Sequence, residues 1–352
     1  MKPHPPVANE QCRPGDANDL LLFRHQMVAG VRRFFYEHDF LEVETPSLIP
    51  SADPSPHLDS FVTHYKEPFG RQQPLYLRTS PEFAMKRLVA AGYPKLFQIC
   101  KFFRNGEISP MHNPEFTGLE WYQTETDYHT LMELTEAMVR ALWPHPTLTY
   151  QGTTVDMQAP WEQLTVHEAV ERYANLKLPN NIQYSDLADA CRNLGLSVSD
   201  DDQWDDLFFK IFLTYVEPHL GMKRPLFLKD YPIRMAALSR AKPDNPHVAE
   251  RVELYIAGVE LANGYSELID AEEQQQRWEE EVELREVNQN PFAGTLDEGL
   301  LNALAWGMPP TAGIAFGLDR LFMLFRDVPT LQEVLPFPLQ QPEAPIERVS
   351  KG

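Results

Sequence analysis

Cysteine is scarce in this chain: three among 352 residues, Cys12, Cys100 and Cys191. Their spacing builds neither a disulfide framework nor a metal-ligand set, so each reads as a buried or incidental thiol. Long apolar runs are missing as well. None approaches the roughly 18 residues that a membrane span requires. The opening "MKPHPPVANEQCRPGDAND" is polar and proline-rich, without the apolar centre of a signal peptide, and the expected location is the cytoplasm. Positive charge is in deficit too, with 31 Lys and Arg against 51 Asp and Glu, a net charge of −20 and a pI near 4.9. Proteins that grip a nucleic-acid backbone carry a basic patch or a high pI, so extensive contact of that kind is disfavoured. There is no G-x-x-x-x-G-K-[ST] loop, no G-x-S-x-G elbow and no H-E-x-x-H pair.

What is present is globular in kind: 43% apolar residues, 11% of all residues aromatic, and enough length for one large domain or two ordinary ones. Residues 1–18 read as a flexible tail and 339–352 as a second. A helix is expected from Asp19 ("DLLLFRHQMVAGVRRFFYEHDF"), capped by Asp16, Asn18 or Asp19. A strand, "FLEVETP", ends at Pro46. The helix "PEFAMKRLVAAG" has Pro81 in its first turn, and residues 150–250 are mainly helical. "EEQQQRWEEEVELREVNQ" reads as a solvated helix. Strands separated by helices without regular alternation predict an α+β fold with a largely antiparallel sheet.

The stretch from Lys101 to Glu125, "KFFRNGEISPMHNPEFTGLEWYQTE", carries the first chemical signal. Side chains alternate along a strand, so Phe116, Gly118, Glu120 and Tyr122 share one face. A carboxylate, a phenol and a glycine leaving open space suit a pocket wall for a cation. Arg104 follows two phenylalanines, and Arg320 follows "GLD" at a strand-to-helix junction. Glu253, Glu260 and Glu267 fall seven apart across a strand pair broken at Ala257-Gly258 and Asn263-Gly264. Buried carboxylates need partners, and carboxylates with two arginines suit magnesium and a polyphosphate. Such a set serves phosphoryl or adenylyl transfer.

Read in order, "RRFFYEHDFLEVETP", "FRNGEISPMHNPEFTGLEWY" and "GIAFGLDR" resemble motifs 1, 2 and 3 of the class II aminoacyl-tRNA synthetases. "TSPE", "HNPEFTGLEWY" and "ELANGYSEL" narrow the resemblance to the lysyl branch. It implies a six-stranded antiparallel sheet flanked by helices, over residues 19–338, and a homodimer. Lysyl enzymes carry an anticodon-binding domain before this core, whereas fewer than twenty residues precede motif 1 here. The chain is therefore similar to the stand-alone lysyl paralogues that attach (R)-β-lysine to a lysine of elongation factor P. A minimal lysyl-tRNA synthetase and a non-catalytic regulatory paralogue are the alternatives.

Residue by residue, the resemblance implies that Glu120, Tyr122 and Glu267 hold the distal ammonium of a lysine-like substrate. Glu82 and Asn263 would hold its other end, with Ser80 beside Glu82. Arg104 would clamp the α-phosphate and the substrate carboxylate, and Arg320 the γ-phosphate of ATP. Glu253 and Glu260 would bind Mg²⁺. Asn105, Glu107, Asn113, Leu261 and Gly317 would line the nucleotide site, together with Glu260. Three features depart from the lysyl-tRNA synthetase pattern, the first being Pro110 and Met111 before "HNPEF", where an arginine is usual. Motif 2 has Gly106 where a glutamate is usual, with Glu107 displaced by one. Motif 3 has Ala315 where those enzymes have glycine, as in the β-lysine ligases, and its methyl group is expected to disfavour α-lysine.

Overall fold

A computed structural model describes residues 17–339. The tail expected at 1–18 falls almost wholly outside them, as does that at 339–352. Six long strands make the centre of the fold: β1 Lys95–Phe103, β2 Glu115–Thr124, β3 Leu226–Pro232, β4 Asn245–Ile256, β5 Val259–Ser266 and β6 Thr311–Gly317. Their order is β1-β2-β6-β5-β4-β3, and each neighbouring pair is antiparallel. The sheet is larger than the expected six strands and mixed. Leu41–Glu42 runs parallel to β1 at one edge, Glu162–Thr165 parallel to β3 at the other, and Ala241–Lys242 pairs with β4. These additions are two to four residues long, too short to show a period of two in sequence. Of "FLEVETP", only Leu41–Glu42 is strand.

The β4–β5 hairpin turns at Ala257-Gly258, where both residues have positive φ (52° and 78°), as a two-residue I′ turn demands. Asn263-Gly264 is not a second break. Both lie inside β5, and a Cβ on Gly264 would come within 2.7 Å of the Ile314 Cβ. The glycine is there for close strand packing. The β4–β5 register slips between Leu254 and Tyr255, pairing Tyr255 with Glu260 and leaving Leu261 as an extra residue. This bulge turns Glu260 onto the face that carries Asn263 and Glu253.

The two faces of the sheet have different fates. Phe97, Leu119, Trp121, Ile314 and Phe316 alternate to one side and are buried with Phe35, Met138 and Phe322 of the helices Ala17–Glu37, Tyr128–Leu142 and Leu318–Phe325. Burying that many large side chains is the main stabilising contribution to the core. A second cluster joins the helices Val166–Ala174, Tyr184–Asn193 and Trp204–Ile211 to Leu226, Leu228 and Tyr255. In the region expected to be mainly helical, 150–250, short strands at Thr153–Asp156 and Glu162–Thr165 come first, helices follow between Val166 and His219, and then β3 and β4 take over. The helix Ala271–Val287 is acidic but not solvated all round: Gln274, Trp278 and Arg285 are buried. Among the described residues no helix is long and apolar enough to cross a membrane.

Candidate active site

The other face of the sheet carries the polar residues, and strand register sets them in rows. Gln98, Glu120, Ala315, Asn263 and Glu253 stand opposite one another across β1, β2, β6, β5 and β4. Two residues along, Leu96, Tyr122, Gly313, Tyr265 and Arg251 form the next row. A cavity of about 290 Å³ lies on these rows. The residues to which the resemblance gave a role all line it except Asn105 and Glu253. Asn105 sits on an exposed turn, and Glu253 is buried beside the cavity.

One end of the cavity is built from buried carboxylates. Glu120, 1% exposed, accepts hydrogen bonds from Ser80 Oγ and Tyr122 Oη, both at 2.6 Å. Glu267, equally buried, pairs through Oε2 with Lys86 Nζ at 2.5 Å, and the same ammonium reaches Glu82 Oε1 at 2.6 Å. Sequence reasoning missed Lys86. Its only signal was the i,i+4 spacing from Glu82, common on any helix surface. Burial and the charge of Glu82 push Glu120 up to about 8. Burial raises Glu267 to about 8 as well, against the opposing pull of Lys86. Burial works against the Lys86 charge, but Glu267 and Glu82 outweigh it and the pKa rises. Three carboxylates thus face one ammonium, and Glu267 Oε1 accepts no hydrogen bond. Burial keeps protons on Glu120 and Glu267 up to about pH 8, and an organic ammonium placed here would favour the ionised carboxylates and displace those protons.

Glycine makes room for this wall at one position but not at the one anticipated. A Cβ on Gly313 would lie 2.2 Å from the Tyr122 ring and 2.6 Å from Glu267 Oε1, so only glycine lets those groups meet. Gly118 leaves no open space, because the Phe102 ring from β1 fills it at 2.2 Å from a would-be Cβ. Phe102 in turn stacks on Phe116, with ring centroids 5.3 Å apart.

The opposite end is cationic and more open. Arg104 follows β1 directly. Its guanidinium lies over the Phe116 ring at 5.4 Å and stands 3.9 Å from Glu107 Oε1, and its Nε has no partner. Gly106 at φ 81° lets the chain turn tightly there, and the displaced Glu107 still lines the cavity. Arg320 donates from Nη1 to the Glu260 carbonyl at 2.8 Å, and its Nη2 lies 2.7 Å from His112 Nε2. Burial and Arg320 hold the His112 pKa down. A neutral imidazole therefore accepts from Arg320 and donates from Nδ1 to Ser109 Oγ, 2.8 Å away. Asn113 is buried, with its side chain bonded to the Glu115 carbonyl at 2.6 Å. Gly317 precedes the helix Leu318–Phe325, and Leu261 O would be the nearest atom to a Cβ there, at 3.6 Å.

The two carboxylates assigned to Mg²⁺ differ in what they offer. Glu253 Oε2 accepts from Tyr231 and Tyr255, at 2.5 and 2.8 Å, and Oε1 from Arg251 at 2.5 Å. Only one lone pair on Oε1 remains. The Glu260 carboxylate is met by Arg320 at 3.5 Å, and burial and Glu253 raise its pKa. Among the described residues no group of three or more His, Cys, Asp or Glu could hold a metal. Glu253 and Glu260 would hold a magnesium ion only in part, since such an ion usually takes one or two protein carboxylates and its other ligands from water and substrate phosphates.

Comparison with known proteins identifies the family. The family model for class II tRNA synthetases (D, K and N) matches residues 10–341. The lysine–tRNA ligase of Magnetococcus marinus is 39% identical over 338 residues, 93% of this chain and 65% of that protein. Those of a Synechococcus strain and of Roseiflexus castenholzii are 40% and 36% identical over 94% and 93% of the chain. The chain spans about 65% of the length of these relatives. A match running nearly end to end, on a sheet with an anionic wall at one end of its cavity and two arginines at the other, makes this chain a member of the class II tRNA synthetase family.

Proposed function

We propose that this protein activates (R)-β-lysine with ATP and transfers it to a lysine side chain of elongation factor P, acting as a homodimer in the cytoplasm. Members of its family are ATP-dependent ligases that work through an aminoacyl-adenylate, with Mg²⁺. The observation that carries the reading is the two-ended cavity: three carboxyl groups around one buried lysine at one end, and at the other two arginines, with Arg104 Nε unpartnered. Glu120, Tyr122 and Glu267 bind the distal ammonium, while Glu82 and Asn263 take the amine nearer the carboxylate. Arg104 brings the substrate carboxylate against the α-phosphate, and Arg320 holds the γ-phosphate. The carboxylate displaces pyrophosphate from the α-phosphorus. The acceptor amine then attacks the activated carbonyl, loses a proton, forms the amide and releases AMP. Magnesium on Glu253 and Glu260 would offset charge on the phosphates. No side-chain nucleophile takes part, so positioning and the arginine field supply the catalysis.

Two observations support a protein acceptor and the β isomer. A net charge of −20 opposes close approach of a nucleic-acid backbone. The Ala315 methyl stands between Glu120 and Asn263 in the first row, where it narrows the space beside the substrate's carboxylate end. The lysine–tRNA ligase relatives favour a second reading, charging of tRNA with α-lysine. ATP–pyrophosphate exchange without tRNA, comparing (R)-β-lysine with α-lysine, separates the two. Exchange led by β-lysine is expected. Exchange led by α-lysine moves the tRNA reading ahead, and silence with both, while ATP still binds, indicates a regulatory paralogue.

A further inference from the structure

Residues 50–61 form neither helix nor strand, yet Asp53 and Leu58 line the cavity. A segment without its own ladder must be held from outside, and here much of the hold comes from one side chain. Arg285, 6% exposed, projects from the helix Ala271–Val287. It donates from Nη1 to the carbonyls of Ser55 (2.6 Å) and Leu58 (3.0 Å), and from Nη2 to Asp59 Oδ1 (2.7 Å). Asn290 donates to the same carboxylate oxygen at 3.0 Å. The Asp59 carbonyl then accepts from the backbone N–H of Asn105 at 2.8 Å. The residue before Asn105 is Arg104, whose own N–H reaches the Pro114 carbonyl at 2.9 Å. The turn that presents Arg104 is thus fixed at two adjacent amides, one within its own strand pair and one by the segment that Arg285 holds.

We infer that Arg285 is a positioning residue for adenylate formation, acting through Asp59 and the Asn105 amide to aim the Arg104 guanidinium at the α-phosphate. This rests on the reading proposed above. It also gives Asn105 a role through its backbone rather than its side chain. A planar guanidinium suits the task because its fixed fork serves two carbonyls and a carboxylate at once. Lysine offers the charge without the fork, so Arg285→Lys should recover part of what Arg285→Met loses.

The test uses the full chain and two independent readouts. In Arg285→Met, hydrogen exchange at the Asn105 amide should quicken, and kcat for ATP–pyrophosphate exchange should fall at least tenfold, with Arg285→Lys in between. In an Arg104→Ala background, Arg285→Met should cost little more, because the residue it aims is gone. Asp59→Asn, which spares the buried arginine, should shift both readouts in the same direction and serves if Arg285→Met fails to fold. An unchanged Asn105 amide, or losses from Arg285→Met and Arg104→Ala that multiply in full, would overturn the inference. Silence of the wild-type protein with both lysine isomers would sink the proposed reaction instead, while the amide exchange would still report on the tether.

Discussion

The two ends of the cavity are made in opposite ways. At the amine end Glu120, Glu267 and Lys86 are each 1% exposed; Ser80 and Tyr122 hold Glu120, and Glu267 and Glu82 hold Lys86, all at 2.5–2.6 Å. At the phosphate end the Arg104 and Arg320 side chains keep 31% and 22% exposure, and Arg104 meets only a carboxylate at 3.9 Å and a ring. The difference teaches where binding selectivity and catalysis reside. On the proposed reading, a lysine-like substrate would meet a wall whose side chains are already held in place, so recognition would require little rearrangement beyond loss of protons from the carboxyls. On the same reading, Arg104 keeps an unpartnered Nε for charge that would arrive with ATP and grow in the transition state. One end should therefore carry stability as well as binding, the other activity almost alone.

The sharpest break of this contrast is Lys86→Met. It leaves Glu267 and Glu82 buried without their counter-ion, and losing one partner of such a cluster costs about 3–5 kcal/mol. Thermal unfolding should drop steeply, and affinity for the amino acid should change with it. Arg104→Ala should do the reverse. Pyrophosphate exchange should fall about 10²–10³-fold, while unfolding barely moves because the side chain is partly solvated and weakly paired. Equal stability losses from the two substitutions would erase the distinction.

Much of this site was legible in the sequence because β2 and β6 alternate cleanly: Glu120 and Tyr122 fall on one face and Leu119 and Trp121 on the other. What stayed hidden depended on a neighbouring strand or helix. Gly118 suggested open space, and only the β1 register brings Phe102 across it. Simple alternation puts Glu260 and Asn263 on opposite faces, and the bulge at Leu261 reverses that. Lys86 read as one more helix residue until the helix Glu82–Ala90 was seen against β2 and the Glu267 carboxylate. Arg285 hid in an acidic helix whose apolar pattern was faint. Each of these is a tertiary fact with no counterpart in local composition.

Acid–base behaviour offers a gentler probe of the amine end. Glu120 and Glu267 have folded-state pKa values raised to about 8, above an unfolded value of roughly 4.3. Between those limits the folded protein binds more protons than the unfolded chain. Stability of the free protein should thus fall as pH rises from about 4.5 to about 8. A bound diamine-bearing acid favours the ionised carboxylates, so it should stabilise the protein more at pH 8 than at pH 6 and release protons on binding. Thermal unfolding with and without lysine across this range, with calorimetry in two buffers of different ionisation heat, measures both. A pH-independent unfolding temperature would show that the wall holds its charge without the substrate.

The smallest change tests whether the amine end also chooses between isomers. Ala315 has Glu120 on one side and Asn263 on the other, in register across three strands. Cross-strand neighbours stand about 4.5–5.5 Å apart at Cβ, so one methyl group limits the room between the carboxylate wall and Asn263. The two lysine isomers differ in whether the first or the second carbon from the carboxylate carries the nearer amine, so this methyl group can favour one of them. A one-carbon change in a packed pocket is worth about 1–3 kcal/mol of discrimination. Ala315→Gly should narrow the preference for β- over α-lysine in pyrophosphate exchange by about tenfold or more, at a stability cost of about 0.5–1 kcal/mol for glycine in a strand. If the ratio of the two kcat/KM values stays where it was, selection between isomers lies with Asn263 and Glu82 rather than with the methyl group.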